Sequence, residues 1–163
     1  MAIEDIVAGI REELAGLERE FRVELPKRIG QARELGDLRE SGEYETAKDR
    51  QGFVQARISF LRARIAELQR IDLNALPRDR VGFGSTVHLR DEESGEGKVY
   101  RLVAAEQVDT ARGWISVAAP VGRSLAGKRA GETVEVRTPG GTKAFTITKV
   151  ITIHDELAGP ARP

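Results

Sequence analysis

The sequence predicts an α+β chain, with an N-terminal antiparallel α-helical coiled-coil hairpin followed by a small antiparallel β-sheet domain carrying one short helix. Three observations lead there. Over residues 3–68 apolar side chains return every three or four positions, the spacing of one helix face. That run is interrupted once, by the turn Gly36-Asp37-Leu38-Arg39-Glu40, which is too short to join two helices except antiparallel. Beyond Asp72 the pattern changes to strand-like alternation punctuated by glycine and proline.

The first helical segment places Ile3, Ile6, Ile10, Leu14, Leu17, Phe21, Leu25, Ile29, Ala32 and Leu35 on one face, with charged residues around the rest. Pro26 lies inside it and should kink the helix or displace a backbone hydrogen bond. The second segment reads Ala47, Gln51, Val54, Ile58, Leu61, Ile65 and Leu68, a heptad seam with one polar member. Arms of roughly thirty residues at about 1.5 Å per residue would reach ~45 Å. The seam is weakest near the turn, where Ala32, Ala47 and Gln51 offer little apolar surface.

Residues 73–80, with Asn74, Pro77 and Asp79, read as a linker. Strands are expected at Val81 to Leu89, Lys98 to Val103, Trp114 to Val117, Thr133 to Arg137 and Ala144 to Ile153. Pro139-Gly140-Gly141 forms a hairpin turn between the last two. One or two helical turns are expected between Pro120 and Gly131. The domain plan is thus a hairpin over residues 1–72 with an acidic tip at 36–44, the linker, a globular domain over 81–157, and a disordered tail over 158–163.

Composition narrows the function. Charged residues make up 32% and aromatics 5%, which favours long solvated helices over one thick globule. The formal net charge is +0, so any nucleic-acid contact should be local rather than a general electrostatic grip. The absence of cysteine excludes disulfides, thiolate chemistry and cysteine-based zinc sites. No apolar run reaches membrane-spanning length, and Glu4 and Asp5 make the N-terminus unlike a signal peptide, so a cytoplasmic monomer with no membrane partner is expected. His88 and His154 each stand alone and fit ordinary strand or surface roles. No phosphate loop or nucleophile triad is present.

The acidic turn supports two readings. Asp37 could cap the second helix with Glu40 closing a reciprocal pair, and Gly36 could end the first helix. Alternatively, both carboxylates project together and share a hard divalent cation such as Mg²⁺, for which two carboxylates are only part of a six-oxygen shell. Arg33, Arg39, Lys48 and Arg50 around the turn are equally compatible with a solvated helical face.

The stretch from Ala32 to Lys48, centred on Gly36-Asp37-Leu38-Arg39-Glu40-Ser41-Gly42-Glu43-Tyr44, resembles the tip motif of the bacterial Gre transcript cleavage factors, and Gln51-Gly52-Phe53 continues the match. Further similarity lies in Phe83-Gly84-Ser85-Thr86-Val87, Ile115-Ser116, the segment Pro120 to Lys128, and Thr138-Pro139-Gly140-Gly141. The resemblance covers nearly the whole chain, in order. Leu38 and the lack of a large basic excess bring it nearer the GreA branch than GreB.

This resemblance implies a factor that enters the secondary channel of RNA polymerase by its coiled coil, while an FKBP-like globular domain docks on the rim. It implies no nuclease activity of its own. The factor stimulates the polymerase's cleavage of backtracked RNA by helping to retain a weakly held second Mg²⁺. By motif position, Asp37 and Glu40 are the acidic pair, Asp37 as metal ligand and Glu40 as the group orienting the water. Arg33 and Lys48 match the basic patch that contacts the RNA 3′ segment, with Arg39 assisting. Tyr44 and Ser41 belong to the packing of the tip, and Pro120, Val121 and Arg123 to the segment that docks on the polymerase. The chain departs from the family pattern at Ser41-Gly42, where Asn-Ala is usual, at Ala118-Ala119, and over Val103 to Asp109. Glycine at position 42 loosens a first helical turn by about 0.5–1 kcal/mol relative to alanine.

Three other functions compete. A non-cleaving regulator could occupy the same channel, but the Asp37–Glu40 spacing favours cleavage. A prolyl isomerase would need an aromatic-lined pocket, for which Trp114 has few companions. A structural coiled-coil adaptor leaves the match of acidic and basic tip residues unexplained.

Overall fold

A computed structural model of the chain describes residues 3–34 and 42–159. It divides into two compact units, residues 1–72 and 73–163.

In the first unit, helix α1 (Ile3–Arg19) passes through a π-helical turn (Glu20–Glu24) into α2 (Leu25–Glu34), and α3 (Gly42–Gln69) runs back beside them. The direction is fixed by cross-helix pairs. Glu13 meets Arg57, Glu20 meets Arg50 and Arg33 meets Tyr44, so one index rises as the other falls. The seam buries Ile6, Ile10, Leu25, Ile29 and Ala32 against Ala47, Val54, Ile58, Leu61 and Leu68, as the periodicity predicts. Val7, outside that pattern, is buried as well.

Pro26 does not break the helix. The turn before it widens instead, and the Leu25 N–H bonds the Glu20 carbonyl, five residues back. Proline has no N–H to donate, and in a regular helix its ring would press on the carbonyl four residues earlier. A π-turn also corrects a drift in the seam. The steps Leu17, Phe21, Leu25, Ile29 are all fours, each advancing about 40° beyond a full α-helical turn. A turn that holds more residues returns Leu25 and Ile29 to the buried face.

In the second unit, five strands form one sheet: β1 (Thr86–Asp91), β2 (Gly97–Val103), β3 (Trp114–Ser116), β4 (Thr133–Thr138) and β5 (Gly141–Ile151). Their order is β3-β2-β1-β5-β4. The three pairings among β2, β1, β5 and β4 are antiparallel. The sheet is nevertheless mixed rather than wholly antiparallel, because β3 runs parallel to β2 with Leu102 opposite Ile115. Residues 104–113, with 3₁₀ turns at Ala105–Gln107 and Thr110–Arg112, carry the chain back so that β3 starts beside β2 in the same direction.

Helix α4 (Pro120–Leu125) lies where one or two turns were expected, with Pro120 in its first turn. Leu125 joins Val81, Val87, Leu89, Leu102, Val134, Val136, Phe145 and Ile147 in the core.

Two boundaries differ from the expectation. The first strand begins at Thr86, not Val81, because Val81 is held instead by hydrogen bonds with Lys128 and Gly127 beyond α4. At the other end, Ala158 is not tail. It closes helix α5 (Ile153–Ala158), which starts from a capping box in which Thr152 and Asp155 satisfy each other's backbone N–H. His154 in this helix meets the Leu76 carbonyl at 2.9 Å, an ordinary structural contact.

Candidate functional site

The acidic turn lies in sequence between the last residue of α2 and the first of α3. Asp37, Arg39, Glu40 and Ser41 fall outside the described residues, so the site is built here from its flanks.

On the α2 side stands Arg33, and on the α3 side Tyr44. The Arg33 guanidinium carbon lies 6.0 Å from the centre of the Tyr44 ring, within cation–π reach. Tyr44 is half-buried and Arg33 exposed. The structure therefore brings together two of the residues that sequence places around the tip. Lys48, one turn further along α3, donates from Nζ to Gln51 Oε1 at 3.0 Å, which holds it along its own helix. The first turn of α3 opens with Gly42, whose carbonyl accepts a 2.7 Å hydrogen bond from the Thr46 hydroxyl.

Below this end the hairpin is thinly packed. Among the described residues, Ala32 and Ala47 are the last buried seam residues at this end, and a groove runs between the helices, lined by Arg28, Gln31, Ala32, Gly42, Glu43 and Thr46. Further along the shaft the packing thickens around Leu25, Val54 and Ile58, with Leu14, Leu17 and Phe21 against them.

A bidentate pair marks the transition. Arg50 donates from Nε to Glu20 Oε1 at 2.7 Å and from Nη2 to Oε2 at 3.0 Å. The Arg50 hydrogen bond holds the Glu20 carboxyl below its ordinary range, against a smaller upward push from burial. Arg50 is thus a structural residue rather than part of a solvated face. Its guanidinium also lies 5.2 Å from the Phe53 ring, and Arg57 repeats the arrangement over Phe60 at 5.3 Å while pairing with Glu13. Sequence reasoning did not reach these rungs. The signal was available in the heptad spacing of Glu13 and Glu20 on one helix and of Arg50 and Arg57 on the other.

In the second unit, Pro120 and Arg123 are exposed on α4 while Val121 packs against the core. The helix is seated closely: a Cβ at Gly122 would collide with the Ser116 carbonyl oxygen. Ala119 gives α4 no side-chain cap, and the Ser116 hydroxyl accepts the Ala118 N–H at 3.1 Å. No helix among the described residues is long and apolar enough to cross a membrane.

Both units match known families. Residues 5–69 match the model described as transcription elongation factor, N-terminal, and residues 76–152 the model described as transcription elongation factor, GreA/GreB, C-term. Transcription elongation factor GreA of Rhodospirillum rubrum is 40% identical over 90% of this chain and 93% of its own length. GreA of Desulfovibrio desulfuricans is 43% identical over 87% of each. A solved structure described as prokaryotic transcription elongation factor GreA/GreB from Nitrosomonas europaea is 36% identical, covering 55% of this chain and 78% of its own, with a TM-score of 0.42. The relationship therefore rests on sequence rather than on superposition.

Proposed function

The chain belongs to the GreA/GreB family of transcription elongation factors, and from that premise we propose that it enters the secondary channel of a backtracked bacterial RNA polymerase and stimulates the polymerase's own cleavage of the extruded RNA. The observation that carries this reading is the placement of Asp37 and Glu40, three residues apart, in the segment that joins the far ends of α2 and α3.

Two carboxylates are too few to complete a six-oxygen shell. Among the described residues no group of three or more His, Asp or Glu could hold an ion by itself. This donor set fits a shared Mg²⁺, held by Asp37 and Glu40 together with carboxylates of the polymerase. Bound there, Mg²⁺ supplies activation of the attacking water and charge stabilisation of the leaving oxygen.

Of the two, Asp37 would be the principal ligand, and Glu40 would also orient the attacking water. Arg33 and Lys48, with Arg39, hold RNA phosphates, which positions the 3′ segment without reading its sequence. Pro120, Val121 and Arg123 dock on the polymerase. The protein alone cleaves nothing.

The test uses stalled, backtracked elongation complexes carrying 5′-labelled RNA, with Mg²⁺ and polymerase from the same source. Wild type is expected to shorten the transcript, while Asp37→Ala and Glu40→Ala bind the polymerase and do not. Tight binding by wild type without cleavage would make the protein a channel-blocking regulator instead, and robust cleavage without polymerase would overturn the shared site.

A further inference from the structure

We propose that the outer face of α3 docks a second copy of this chain, laid antiparallel so that Phe53 and Phe60 of each copy pack on Ala63 and Ala56 of the other. The proposal is independent of the cleavage reading and replaces the strict monomer expected from sequence.

Helix α3 is apolar on two opposite sides. Val54, Ile58 and Leu61 are buried in the seam. At about 100° per residue, the opposite side presents Gly52, Phe53, Ala56, Ser59, Phe60 and Ala63, all of them exposed. Phe53 is 60% exposed and Phe60 59%. Single exposed apolar residues need no explanation. Two aromatic rings seven residues apart, with only small side chains between them on the same face, repeat the spacing of a second helix-packing seam. The middle of this stripe is uncharged from Asp49 to Glu67, ~27 Å along the helix.

Both rings are already held in place. The Arg50 guanidinium lies 5.2 Å from the Phe53 ring and that of Arg57 5.3 Å from Phe60. Those arginines pair with Glu20 and Glu13, and Arg64, next along the same flank, pairs with Glu67 at 2.9 Å. Bringing two copies together therefore orders little that is not ordered beforehand, and sets no unmatched cation against another.

A helix that fits this stripe must offer small residues where it has rings, and rings where it has alanines. The stripe read backwards does both. Phe53, Ala56, Phe60 and Ala63 are spaced three, four and three, the same in either direction. A two-fold axis at the level of residue 58 thus sets each phenylalanine on an alanine. A parallel pair would set ring on ring and methyl on methyl. Two rings of at most about 250 Å² each, with four small side chains, fall short of the ~800 Å² a side of a standard interface. At each end Asp49 also comes opposite Glu67 of the other copy, a like-charge contact at the rim. The association is therefore weaker than about micromolar.

The experiment uses the full-length protein at roughly 10–500 μM, the range that suits an interface of this size. Sedimentation velocity of wild type, Phe60→Ala and Ala63→Glu follows mass against concentration. Both substitutions are at exposed positions, and circular dichroism melts check that the hairpin is intact. A thiol reads the direction of pairing. The chain has no cysteine, so Ser59→Cys places a single thiol near the two-fold axis, whereas Asp49→Cys places one ~27 Å from its counterpart.

Wild type is expected to move toward twice its mass as concentration rises. Phe60→Ala weakens the association roughly ten-fold, because the axis repeats each loss, and Ala63→Glu removes it. Ser59→Cys forms a disulfide-linked dimer at least about ten-fold faster than Asp49→Cys. A wild type that keeps one chain's mass throughout, an association untouched by Ala63→Glu, or equal cross-linking at the two positions overturns the proposal. A monomeric wild type whose competition for polymerase is weakened by Phe60→Ala would give this face to the polymerase instead, and the second copy falls. None of these readings depends on Asp37→Ala, so the cleavage reading stands or falls separately.

Discussion

Glu20 and Arg50, thirty residues apart in sequence, are joined by two parallel hydrogen bonds of 2.7 and 3.0 Å across the helical hairpin. The carboxylate belongs to the π-helical turn that accommodates Pro26, and the guanidinium to the first third of the returning helix. The pair therefore fixes the register of α3 against the one irregular turn of its partner. Glu13 and Arg57 repeat the connection seven residues down each helix.

Replacing Arg50 by lysine should test this fork. A point charge on a flexible stem cannot make the planar two-point contact. Arg50→Lys is expected to lower the thermal midpoint of the hairpin measurably, and Glu20→Gln to do so similarly. The double variant should lose less than the sum, because the two residues act on each other. Circular dichroism melts of the four proteins, repeated in high salt where the pair is screened, read this out. Additive losses would mean that the two residues act separately.

The carboxyl groups of Glu20, Asp91 and Asp155 all titrate below their ordinary ranges. Glu20 is held down by Arg50, Asp91 by the backbone N–H groups of Glu93 and Ser94, and Asp155 by the backbone N–H and then the hydroxyl of Thr152. A folded-state value below the unfolded one means that the ionised group favours folding. That contribution is complete above the unfolded value, about 4, and is lost as pH falls through the folded value. Asp155→Asn should therefore be less stable than wild type at pH 7, and the difference should shrink as the pH is taken below about 4. Urea unfolding at a series of pH values measures it, and a constant difference across the range would rule out Asp155 as a source of acid sensitivity.

Much of this architecture was legible in the residue pattern. The steps from Ile3 to Leu68 named nearly every buried seam position, and the Pro139-Gly140 turn located the β4–β5 hairpin. Three features were not. The π-turn was hidden because Pro26 suggested a break, although the unbroken steps of four from Leu17 to Ile29 called for a wider turn. The parallel pairing of β3 was hidden because its three residues carry no signal of direction, which is set by the ten-residue return before it. At the tip, Arg33 and Tyr44 were each readable as candidates, but their meeting depends on how the two helix ends face each other, which spacing within either helix does not contain.

Leu25 offers the sharpest test of the shaft. It ends the π-turn and is fully buried, packed with Val54 and Ile58. Leu25→Ala removes apolar atoms from a seam one side chain thick and leaves a cavity, with an expected loss of about 2–5 kcal/mol. Denaturant unfolding followed by far-ultraviolet circular dichroism reports it. A loss below about 1 kcal/mol would mean that the helices close around the gap and that the π-turn is held by other contacts.

The seating of α4 can be tested by a single methyl group. Gly122 is buried under the β3 strand end, where a Cβ would meet the Ser116 carbonyl oxygen and the Val117 backbone. Backbone atoms cannot turn aside as a side chain can, so alanine at 122 must push the helix outward. Gly122→Ala is therefore expected to cost about 1–3 kcal/mol, the usual range for overpacking. Because Leu125 on the same helix is fully buried in the core, the displacement also disturbs packing away from the substituted position. Gly113→Ala is a useful companion: Gly113 has a φ of 76° and its Cβ would lie 2.5 Å from the Val99 carbonyl oxygen, so it adds left-handed strain to a similar clash. Denaturant unfolding of both variants, with tryptophan fluorescence of Trp114 as a local probe, should show Gly113→Ala perturbing the spectrum more, since it precedes Trp114 in sequence. A Gly122→Ala protein as stable as wild type would show that α4 can shift without loss, and that its position does not depend on close backbone approach.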